Sequence, residues 1–261
     1  MANFDITGKV VLVTGGTNGL GRAIAEGMAR AGAIVHICSR DTTKVIEAAR
    51  ALKVIHTQND GYTANVTDME SFREVVEEIV EKEGSLDILV NAAGITSRAP
   101  ALEMTIEEWN RVINVNLTGT FISNQAAALV MKNQPNGGAI VNIASMASFM
   151  GWSLVAAYGA SKAGVVQLTE TLALEWAEYK IRVNAIAPGV FPTDLNRALI
   201  DGTPRGRWFK NHTPLGRFGD ANELVGAAIF LASDAASYIT GVTLPVDGGY
   251  LACGVPSAPP E

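Results

Sequence analysis

Short apolar runs rich in valine and isoleucine alternate along the chain with longer segments in which apolar residues recur every three or four positions. The short runs are typical of buried β-strands, and the longer segments are typical of helices that pack on one side. Seven runs predict strands, at residues 9–14, 33–38, 61–66, 86–91, 139–144, 181–187 and 241–246. A helix is predicted between the first two strands, from about Gly19 to Ala31. The chain therefore has a βαβ rhythm from its beginning.

Capping-box patterns mark several helix starts, because a side-chain oxygen is followed three positions later by an acidic residue that can reach back. The patterns pair Thr67 with Glu70, Thr105 with Glu108, and Asp220 with Glu223. Strands that are apolar on both faces need helices on both sides, and crossover helices make such a sheet parallel. We therefore predict a doubly wound α/β (Rossmann) fold, with a seven-stranded parallel sheet and helices on both faces.

No linker divides the chain, so a single domain is predicted over residues 1–255. The final PSAPPE, at 256–261, cannot form a strand or a helix and is either a flexible tail or an arm over a neighbouring subunit. Four prolines and five glycines fall within residues 188–219, which predicts a mobile active-site loop there.

Composition excludes several functional classes. With 48% hydrophobic and 18% charged residues, the chain can bury a large core. We expect neither a membrane partner nor export from the cytoplasm, because there is no apolar run of roughly 18 residues and no signal-like start. A net charge of −6 without a basic run argues against a nucleic-acid partner. Cys38 and Cys253 are expected to be free thiols, and no metal is predicted because His56 and His212 lack companion ligands.

A glycine-rich turn, TGGTNGLG at 14–21, follows the first predicted strand and opens the first helix. Glycines permit a tight turn and a close backbone approach, while free N–H groups at a helix start attract a pyrophosphate. An ordinary glycine-rich loop is the alternative, but the strand–turn–helix setting favours a dinucleotide site. The predicted binding residues of this turn are Gly15, Thr17, Asn18, Gly19, Leu20 and Gly21.

Tyr158 and Lys162 lie four residues apart in a helical pattern, which places both side chains on one face about a turn apart. An ammonium group near a phenol lowers the phenol pKa from about 10 toward neutrality, so the tyrosine becomes a usable general acid or base. Ser145 follows the fifth predicted strand, at the edge where doubly wound sheets bind ligands. A serine hydrolase is disfavoured, because no GxSxG turn surrounds Ser145 and His36 lies inside a strand.

These motifs resemble the short-chain dehydrogenase/reductase family, whose TGxxxGxG pattern matches residues 14–21. The resemblance covers nearly the whole chain, as far as LPVDGGY at 244–250. It implies that Ser145 polarises the substrate oxygen, that Tyr158 passes the proton, and that Lys162 supports this transfer. It also implies that Asn116 completes a proton relay, with Asn114 as the neighbour that could be mistaken for it.

The resemblance implies further cofactor contacts. NAAG at 91–94 is similar to the family's NNAG segment on the adenosine side, and its departure at Ala92 removes one side-chain hydrogen bond. Asn65 could touch the adenine or could equally be a turn residue, and Thr193 in PGVFPT could hold the carboxamide or cap a helix. The residues implied are Asn65, Val66, Asn91, Ala92, Ala93, Gly94, Tyr158, Lys162, Pro188, Gly189, Val190 and Thr193.

The end of the second predicted strand favours NADP(H) over NAD(H). Enzymes that select NAD have an acidic residue at this point for the ribose hydroxyls, whereas this chain has Ser39 followed by Arg40. A guanidinium binds phosphate through paired charge-assisted hydrogen bonds, and Ser39 and Thr17 could donate from either side. Asp41 could neutralise Arg40 or cap the next helix, and the helical sequence that follows favours the cap.

The segments 145–154 and 197–219 resemble gluconate and deoxygluconate dehydrogenases of the family, and the chain also resembles its 3-oxoacyl-carrier-protein reductases. The predicted reaction moves a hydride between NADP(H) and a small secondary alcohol or ketone, such as a sugar acid or polyol. A 3-oxoacyl-thioester reductase and a non-catalytic NADP-binding regulator remain alternatives. Predicted substrate contacts are Arg98, Ser145, Ala147 and Trp152, with Arg205, Arg207 and Lys210 as further candidates for a carboxylate.

Helices predicted near 107–132 and 154–178 have few charges and carry small or apolar residues on several faces. Helices of this kind are usually buried all round. Because the sheet can cover only one face of each helix, we expect the other face to pack against a second subunit. A homo-oligomer is therefore predicted, as in the tetramers common in the family, with a monomer as the alternative.

Overall fold

The computed structural model describes residues 3–194 and 196–252, and its strands form one parallel sheet in the order β3-β2-β1-β4-β5-β6-β7. The strands are β1 (Val10–Thr14), β2 (Ile34–Ser39), β3 (Asp60–Thr63), β4 (Ile88–Asn91), β5 (Gly138–Ile143), β6 (Ile181–Pro188) and β7 (Thr243–Val246). All seven predicted strands are confirmed, although β3 ends at Thr63 and not at Val66. The tail at 256–261 and Cys253 lie outside the described residues.

Helices connect the strands and cover both faces of the sheet. They are α1 (Gly19–Arg30), α2 (Thr42–Ile55), α3 (Met69–Glu83), α4 (Ile106–Ile113), α5 (Gly119–Met131), α6 (Ala156–Trp176), α7 (Arg197–Ile200), α8 (Pro204–His212) and α9 (Glu223–Ala232). A π-helical turn, Asn114–Thr118, joins α4 to α5. The doubly wound α/β fold is confirmed.

Two hydrophobic cores follow from the alternation of side chains along the strands. On one face, Val11 and Val13 of β1 pack in a cluster with residues of α1, α2 and α9. On the other face, Val10 and Leu12 pack in a cluster with residues of α3, α5 and α6. Every residue of β1 is buried, which explains why the strand reads as a continuous apolar run.

The segment at 188–219 is not a plain loop, because it contains α7 and α8. Pro204 occupies the first position of α8, where its fixed φ favours a helix, and the Thr203 hydroxyl accepts from Gly206 N at 3.0 Å. A small core of its own lies here, built on Met146, Ile200, Phe209 and Tyr250. Part of the segment predicted as a mobile active-site loop is therefore helical, since proline here starts a helix.

The predicted helix caps are confirmed in one case and displaced in another. Thr105 caps α4, where its hydroxyl accepts from Glu108 N at 3.2 Å, but the Glu108 carboxylate accepts from Ser97 Oγ at 3.1 Å instead of completing the capping box. Thr67 does not cap α3; Asp68 does, and its carboxylate accepts from Ser71 N at 3.2 Å. Asp68 is the better cap because its carboxylate is an ionised acceptor at the positive end of the helix.

The third predicted capping box is half formed. The Glu223 carboxylate reaches back and accepts from Asp220 N at 2.8 Å, as the pattern requires. The Asp220 carboxylate instead accepts from Asn222 N at 2.9 Å, and α9 begins only at Glu223. Glu223 thus makes its half of the capping box, whereas Asp220 stabilises a turn that precedes the helix.

His36 lies within β2 and is fully buried, as expected for a packed core histidine. Its ring centroid is 5.8 Å from that of Tyr62, and its Nε2 is 3.3 Å from Glu83 Oε1. Burial lowers the pKa of His36 to about 4, so the ring is neutral at neutral pH.

The C-terminus of α9 is held by a guanidinium from β6. Arg182 Nη1 donates to Leu231 O at 2.7 Å and to Ile239 O at 3.4 Å. Its Nη2 donates to Ala232 O and Ser233 O, each at 3.1 Å. One planar cation thus satisfies carbonyl groups that a helix end leaves without partners.

Replacing Arg182 by methionine should lower the free energy of unfolding by about 2 kcal/mol, because these carbonyls would lose a charged donor while they remain partly buried. Urea denaturation of both proteins measures the difference. Arg50→Met, at an exposed position of α2, is the matched control and should change stability by less than about 0.5 kcal/mol. Equal unfolding midpoints for Arg182→Met and the wild type would contradict the assigned role.

Candidate active site

A cavity of about 590 Å³ opens where the parallel strands end. The strands β1 and β4 are neighbours, yet the chain continues from them toward opposite edges of the sheet. Such a switch point leaves a crevice at the carboxyl ends of the strands, which is the usual ligand site of doubly wound folds. The cavity is lined by residues that directly follow β1, β4, β5 and β6, together with the first turns of α1 and α6.

The glycine turn after β1 has a shape that only glycine allows. Gly15 has a φ of +67°, and a Cβ there would lie 2.8 Å from the Ala93 Cα. A Cβ on Gly21 would lie 2.5 Å from the Gly15 carbonyl oxygen. The N-cap residue of α1, Asn18, makes no side-chain capping bond, and the first turn contains no acidic residue. The N–H groups of this helix start therefore suit a pyrophosphate.

The end of β2 brings a positive charge to the cavity. Ser39, Arg40 and Thr17 all line it, and Arg40 is exposed with no ion-pair partner among the residues that the structure describes. The Asp41 carboxylate accepts from Lys44 N at 3.2 Å and also lies 3.7 Å from Lys44 Nζ. Asp41 therefore caps α2, as predicted, and leaves the Arg40 guanidinium available to a ligand.

Tyr158, Lys162 and Ser145 meet at one side of the cavity. The Lys162 Nζ lies 5.9 Å from the centre of the Tyr158 ring and donates to Ile143 O at 2.6 Å. The Ser145 hydroxyl lies close enough to the Tyr158 phenol to lower its pKa, and the Ser145 Oγ accepts from Ala147 N at 3.1 Å. The sequence spacing on α6 thus produces the predicted arrangement, with the serine delivered by the turn after β5.

Burial changes the proton affinities of both members of the pair. It raises the pKa of Tyr158 above its usual value, against the smaller lowering effect of the Ser145 hydrogen bond. It lowers the pKa of the Lys162 ammonium to about 8. The expectation that Lys162 brings the Tyr158 pKa toward neutrality is therefore wrong for the protein alone, because desolvation is the largest effect on the phenol and raises its pKa. At neutral pH the tyrosine carries the proton that a carbonyl reduction consumes.

Asn116 lies in the π-helical turn and is fully buried beside the cavity, whereas Asn114 is exposed. Its Nδ2 donates to Ile95 O at 2.9 Å and to Ser161 Oγ at 3.0 Å. Its Oδ1 accepts from Ile95 N at 2.8 Å. The amide therefore joins the segment after β4 to the first turns of α6, and it does not line the cavity itself.

Most of the predicted cofactor residues line the cavity. They are Gly15, Thr17, Asn18, Gly19, Leu20, Gly21, Ser39, Arg40, Val66, Ala92, Ala93, Gly94, Tyr158, Lys162, Pro188, Gly189, Val190 and Thr193. Gly189 shows why the turn after β6 needs glycine, since a Cβ would lie 2.6 Å from the Asp247 Cα. The structure brings these residues together, and their contacts with a nucleotide remain predictions.

Two predicted cofactor residues have other roles in the structure. Asn65 accepts from Thr67 N at 3.2 Å through its Oδ1, as a turn residue does, and it does not line the cavity. Asn91 is buried, and its Nδ2 donates to Asn124 Oδ1 at 2.6 Å and to Asn142 Oδ1 at 2.9 Å. Its amide thus connects β4 to α5 and β5, below the cavity.

At the substrate end, the structure separates the basic candidates. Arg98 and Arg205 line the cavity, whereas Arg207 and Lys210 do not. The Arg207 guanidinium donates to Gly202 O at 3.3 Å, and Lys210 Nζ lies 4.8 Å from the centre of the Phe218 ring. Of the two arginines and one lysine of α8, only Arg205 therefore lines the cavity.

Arg98 and Arg205 are close enough to affect each other. Burial lowers the pKa of Arg205, and the positive charge of Arg98 lowers it further. Within the described residues, neither guanidinium has a carboxylate partner. Two partly buried cations therefore converge on one end of the cavity without a counter-ion from this part of the chain.

Trp152 also lines the cavity, and its contact with a substrate remains a prediction, whereas Ala147 is buried and does not line the cavity. Sequence reasoning missed Phe209, which lines the cavity and packs against Trp152 with ring centroids 5.3 Å apart. It also missed Asn196, whose Oδ1 accepts from Thr193 N at 2.9 Å. No sequence signal marked either residue, because both lie in the segment that was predicted as a loop.

Across residues 3–194 and 196–252, no group of three or more His, Cys, Asp and Glu side chains is arranged so that it could bind a metal ion. In the same residues, no helix combines the length and the apolar character needed to span a membrane. Cys38 is buried and unpaired, and burial raises the pKa of its thiol to about 12.

A dinucleotide-shaped crevice beside a tyrosine, a lysine and a serine defines a dinucleotide-dependent oxidoreductase. Comparison with known proteins identifies the family within this class. The family model described as enoyl-(acyl carrier protein) reductase matches residues 7–251. The 2-dehydro-3-deoxy-D-gluconate 5-dehydrogenase of Escherichia coli is 41% identical over 97% of this chain and 99% of its own length. The chain belongs to the short-chain dehydrogenase/reductase family, as its motifs predicted.

Other relatives carry related names. The 3-oxoacyl-acyl-carrier-protein reductase of Thermotoga maritima is 40% identical over 94% of this chain and 98% of its own length. A crystal structure of a gluconate 5-dehydrogenase from Burkholderia cenocepacia, in complex with NADP and tartrate, is 38% identical. It superposes with a TM-score of 0.93 over 97% of this chain and 99% of that one. The cofactor in that complex is the one predicted here.

Proposed function

We propose that this protein is an NADP(H)-dependent oxidoreductase that interconverts a secondary alcohol and a ketone in a sugar acid. The observation that carries the proposal is the pair Arg98 and Arg205, which meets in the same cavity as Tyr158 and Ser145. A substrate carboxylate would supply the counter-charge that this pair lacks, through bidentate hydrogen bonds. The names of the Escherichia coli and Burkholderia relatives support the same substrate class.

Each catalytic side chain has a part in this reaction. Bound NADP(H) supplies or accepts the hydride. In reduction, the Tyr158 hydroxyl gives its proton to the carbonyl oxygen as the hydride reaches the carbonyl carbon, and in oxidation the deprotonated tyrosine takes the proton of the alcohol. The Ser145 hydroxyl donates to the same substrate oxygen. Lys162 keeps two of its three N–H donors after bonding Ile143 O, and these can hold the nicotinamide ribose.

The cofactor assignment rests on the crevice and on the end of β2. The N–H groups at the start of α1 suit the pyrophosphate, and the close-packed Gly15 and Gly21 let the backbone approach it. Arg40, Ser39 and Thr17 surround the place where the ribose 2′-phosphate of NADP would lie. The Asn116 side chain holds the backbone of Ile95, which lines the cavity, by accepting from its N–H and donating to its carbonyl oxygen.

Replacing Arg205 by alanine should lower kcat/KM for gluconate at least about tenfold, because a charge-assisted bidentate contact would be lost. The value for an uncharged polyol such as sorbitol should change less than about threefold. Arg207→Ala is the matched control, since Arg207 lies on the same helix but faces away from the cavity. Steady-state kinetics with NADP⁺ and both substrates measure the difference.

Two outcomes would contradict the substrate assignment. Equal decreases in kcat/KM for gluconate and for sorbitol in Arg205→Ala would show that Arg205 does not bind a substrate carboxylate. Turnover of 3-oxoacyl thioesters by the wild type, with sugar acids and polyols inert, would favour the alternative suggested by the Thermotoga relative.

We also propose that the chain forms a homo-oligomer, a tetramer in its final form. Phe121 and Leu129 are large apolar side chains exposed on α5, a helix that is otherwise mostly buried, and Leu174 is exposed on α6. A second subunit packed on these helices would cover them. Light scattering at micromolar concentration should therefore give a mass of four chains. A monomeric mass under those conditions would end this part of the proposal.

The same proposal includes residues 1–255 as the folded domain and 256–261 as a tail. A cytoplasmic location belongs to it as well, since the cytoplasm would keep the unpaired Cys38 reduced.

A further inference from the structure

A buried serine connects the catalytic turn to the cavity wall. Ser161 is fully buried on α6, between Tyr158 and Lys162 in the sequence. Its Oγ donates to Tyr158 O at 2.7 Å and accepts from Asn116 Nδ2 at 3.0 Å. The hydroxyl thus bonds at once to the backbone of the residue that moves the proton and to the side chain that holds Ile95.

The bonds around Asn116 leave no alternative partner for this contact. One Nδ2 hydrogen goes to Ile95 O and the other to Ser161, while Oδ1 accepts from Ile95 N. The amide is fully satisfied only when the Ser161 hydroxyl is present. A buried amide that lost this acceptor would have to shift, and Gly94 lies directly against it, since a Cβ there would be 3.4 Å from Asn116 Oδ1.

We propose that Ser161 is a positioning residue for the reaction. Its hydroxyl fixes the turn of α6 that carries Tyr158 and Lys162 against the Asn116 side chain. The groups that face the Tyr158 side chain are Lys162 from the same helix and Ser145 from the turn after β5. Their spacing from the phenol depends on the orientation of this one helical turn. The proton affinity of Tyr158 therefore depends on a hydroxyl that touches neither substrate nor cofactor.

The inference rests on the catalytic roles proposed above, and its test compares Ser161→Ala with Ser161→Thr, which keeps a hydroxyl. The matched control is Ser123→Ala. Ser123 is also a fully buried helical serine that donates back to its own helix, to Gly119 O at 2.8 Å, but it bonds no catalytic residue. Each protein is studied with NADP⁺ bound, by kinetics and by ¹³Cζ-tyrosine NMR titration, with the Tyr158 signal assigned through Tyr158→Phe.

We expect Ser161→Ala to lower kcat about tenfold while KM for NADP⁺ changes less than about threefold. The titration midpoint of Tyr158 should rise by at least about 0.5 pH unit, because the phenol would be held less closely to the Ser145 hydroxyl, which lowers its pKa. Ser161→Thr should recover most of both effects, and Ser123→Ala should show neither. Ser161→Cys, which keeps the size of the side chain, replaces the alanine variant if that variant does not fold.

An unchanged Tyr158 titration in Ser161→Ala would overturn the proposal even if kcat fell, because the role would then be structural only. Equal effects in Ser123→Ala would overturn it as well. Failure of the proposed function is a separate result, since normal turnover in Tyr158→Phe would remove the catalytic roles whatever the Ser161 variants show.

Discussion

Turnover should fall at least ~10²-fold when Tyr158 is replaced by phenylalanine, which is the usual contribution of a general acid or base. The substitution keeps the ring packed beside Ser145 and removes only the hydroxyl whose proton moves. Nucleotide binding should survive, because the glycine turn and the end of β2 are untouched. Single-turnover kinetics and NADPH fluorescence titration measure the two properties separately.

Tyr62→Phe is the matched control for this experiment. Tyr62 is also a partly buried tyrosine, and burial raises its pKa to about 12, but it packs against His36 away from the cavity. Its loss should leave turnover unchanged within about twofold. Near-normal turnover in Tyr158→Phe would remove Tyr158 from the mechanism.

Replacing Arg40 by alanine should lower kcat/KM for NADP(H) about tenfold or more, with a change of less than about threefold for NAD(H). The guanidinium lines the nucleotide end of the cavity, and Asp41 does not neutralise it because Asp41 caps α2. The wild type should accordingly prefer NADP(H). Steady-state kinetics with both cofactors at saturating substrate give the four values needed.

Arg50→Ala tests whether the loss of another positive charge on this side of the sheet would also lower kcat/KM for NADP(H). Arg50 is exposed on α2, the helix that follows Arg40, and it does not line the cavity. Its removal should leave both cofactors unaffected. A wild-type preference for NAD(H), or an Arg40→Ala variant with unchanged NADP(H) efficiency, would show that the end of β2 does not select the cofactor.

The five inner strands were predictable from the sequence because they are buried on both faces and therefore read as apolar runs, whereas the edge strands β3 and β7 are only partly buried. The ends of elements were less predictable. Thr67 and Asp68 are both good caps, and only the folded backbone decides that α3 begins after the aspartate. The helices α7 and α8 were missed because their proline and glycine content is typical of loops, although Pro204 stands at the one helical position that suits it.

For the site, spacing along one helix was sufficient to predict that Tyr158 and Lys162 meet, because helical geometry is local. Their proton affinities were not predictable, since these depend on burial by distant parts of the chain. The same limit applies to the basic candidates at 98–210. The sequence did not distinguish Arg205 from Arg207 and Lys210, and tertiary packing alone turns Arg205 toward the cavity beside Arg98.

The small core under α7 and α8 separates two properties of the enzyme. Phe209 packs against Trp152 and Tyr250, at centroid distances of 5.3 and 6.1 Å, and this cluster is distinct from the cores on the two faces of the sheet. Arg205 and Phe209 thus stand on a segment with its own packing, whereas Arg98 and the hydride-transfer machinery stand on the turns after the strands and on α6. An engineer could therefore transplant residues 197–212 from a relative and retune substrate choice without rebuilding the catalyst.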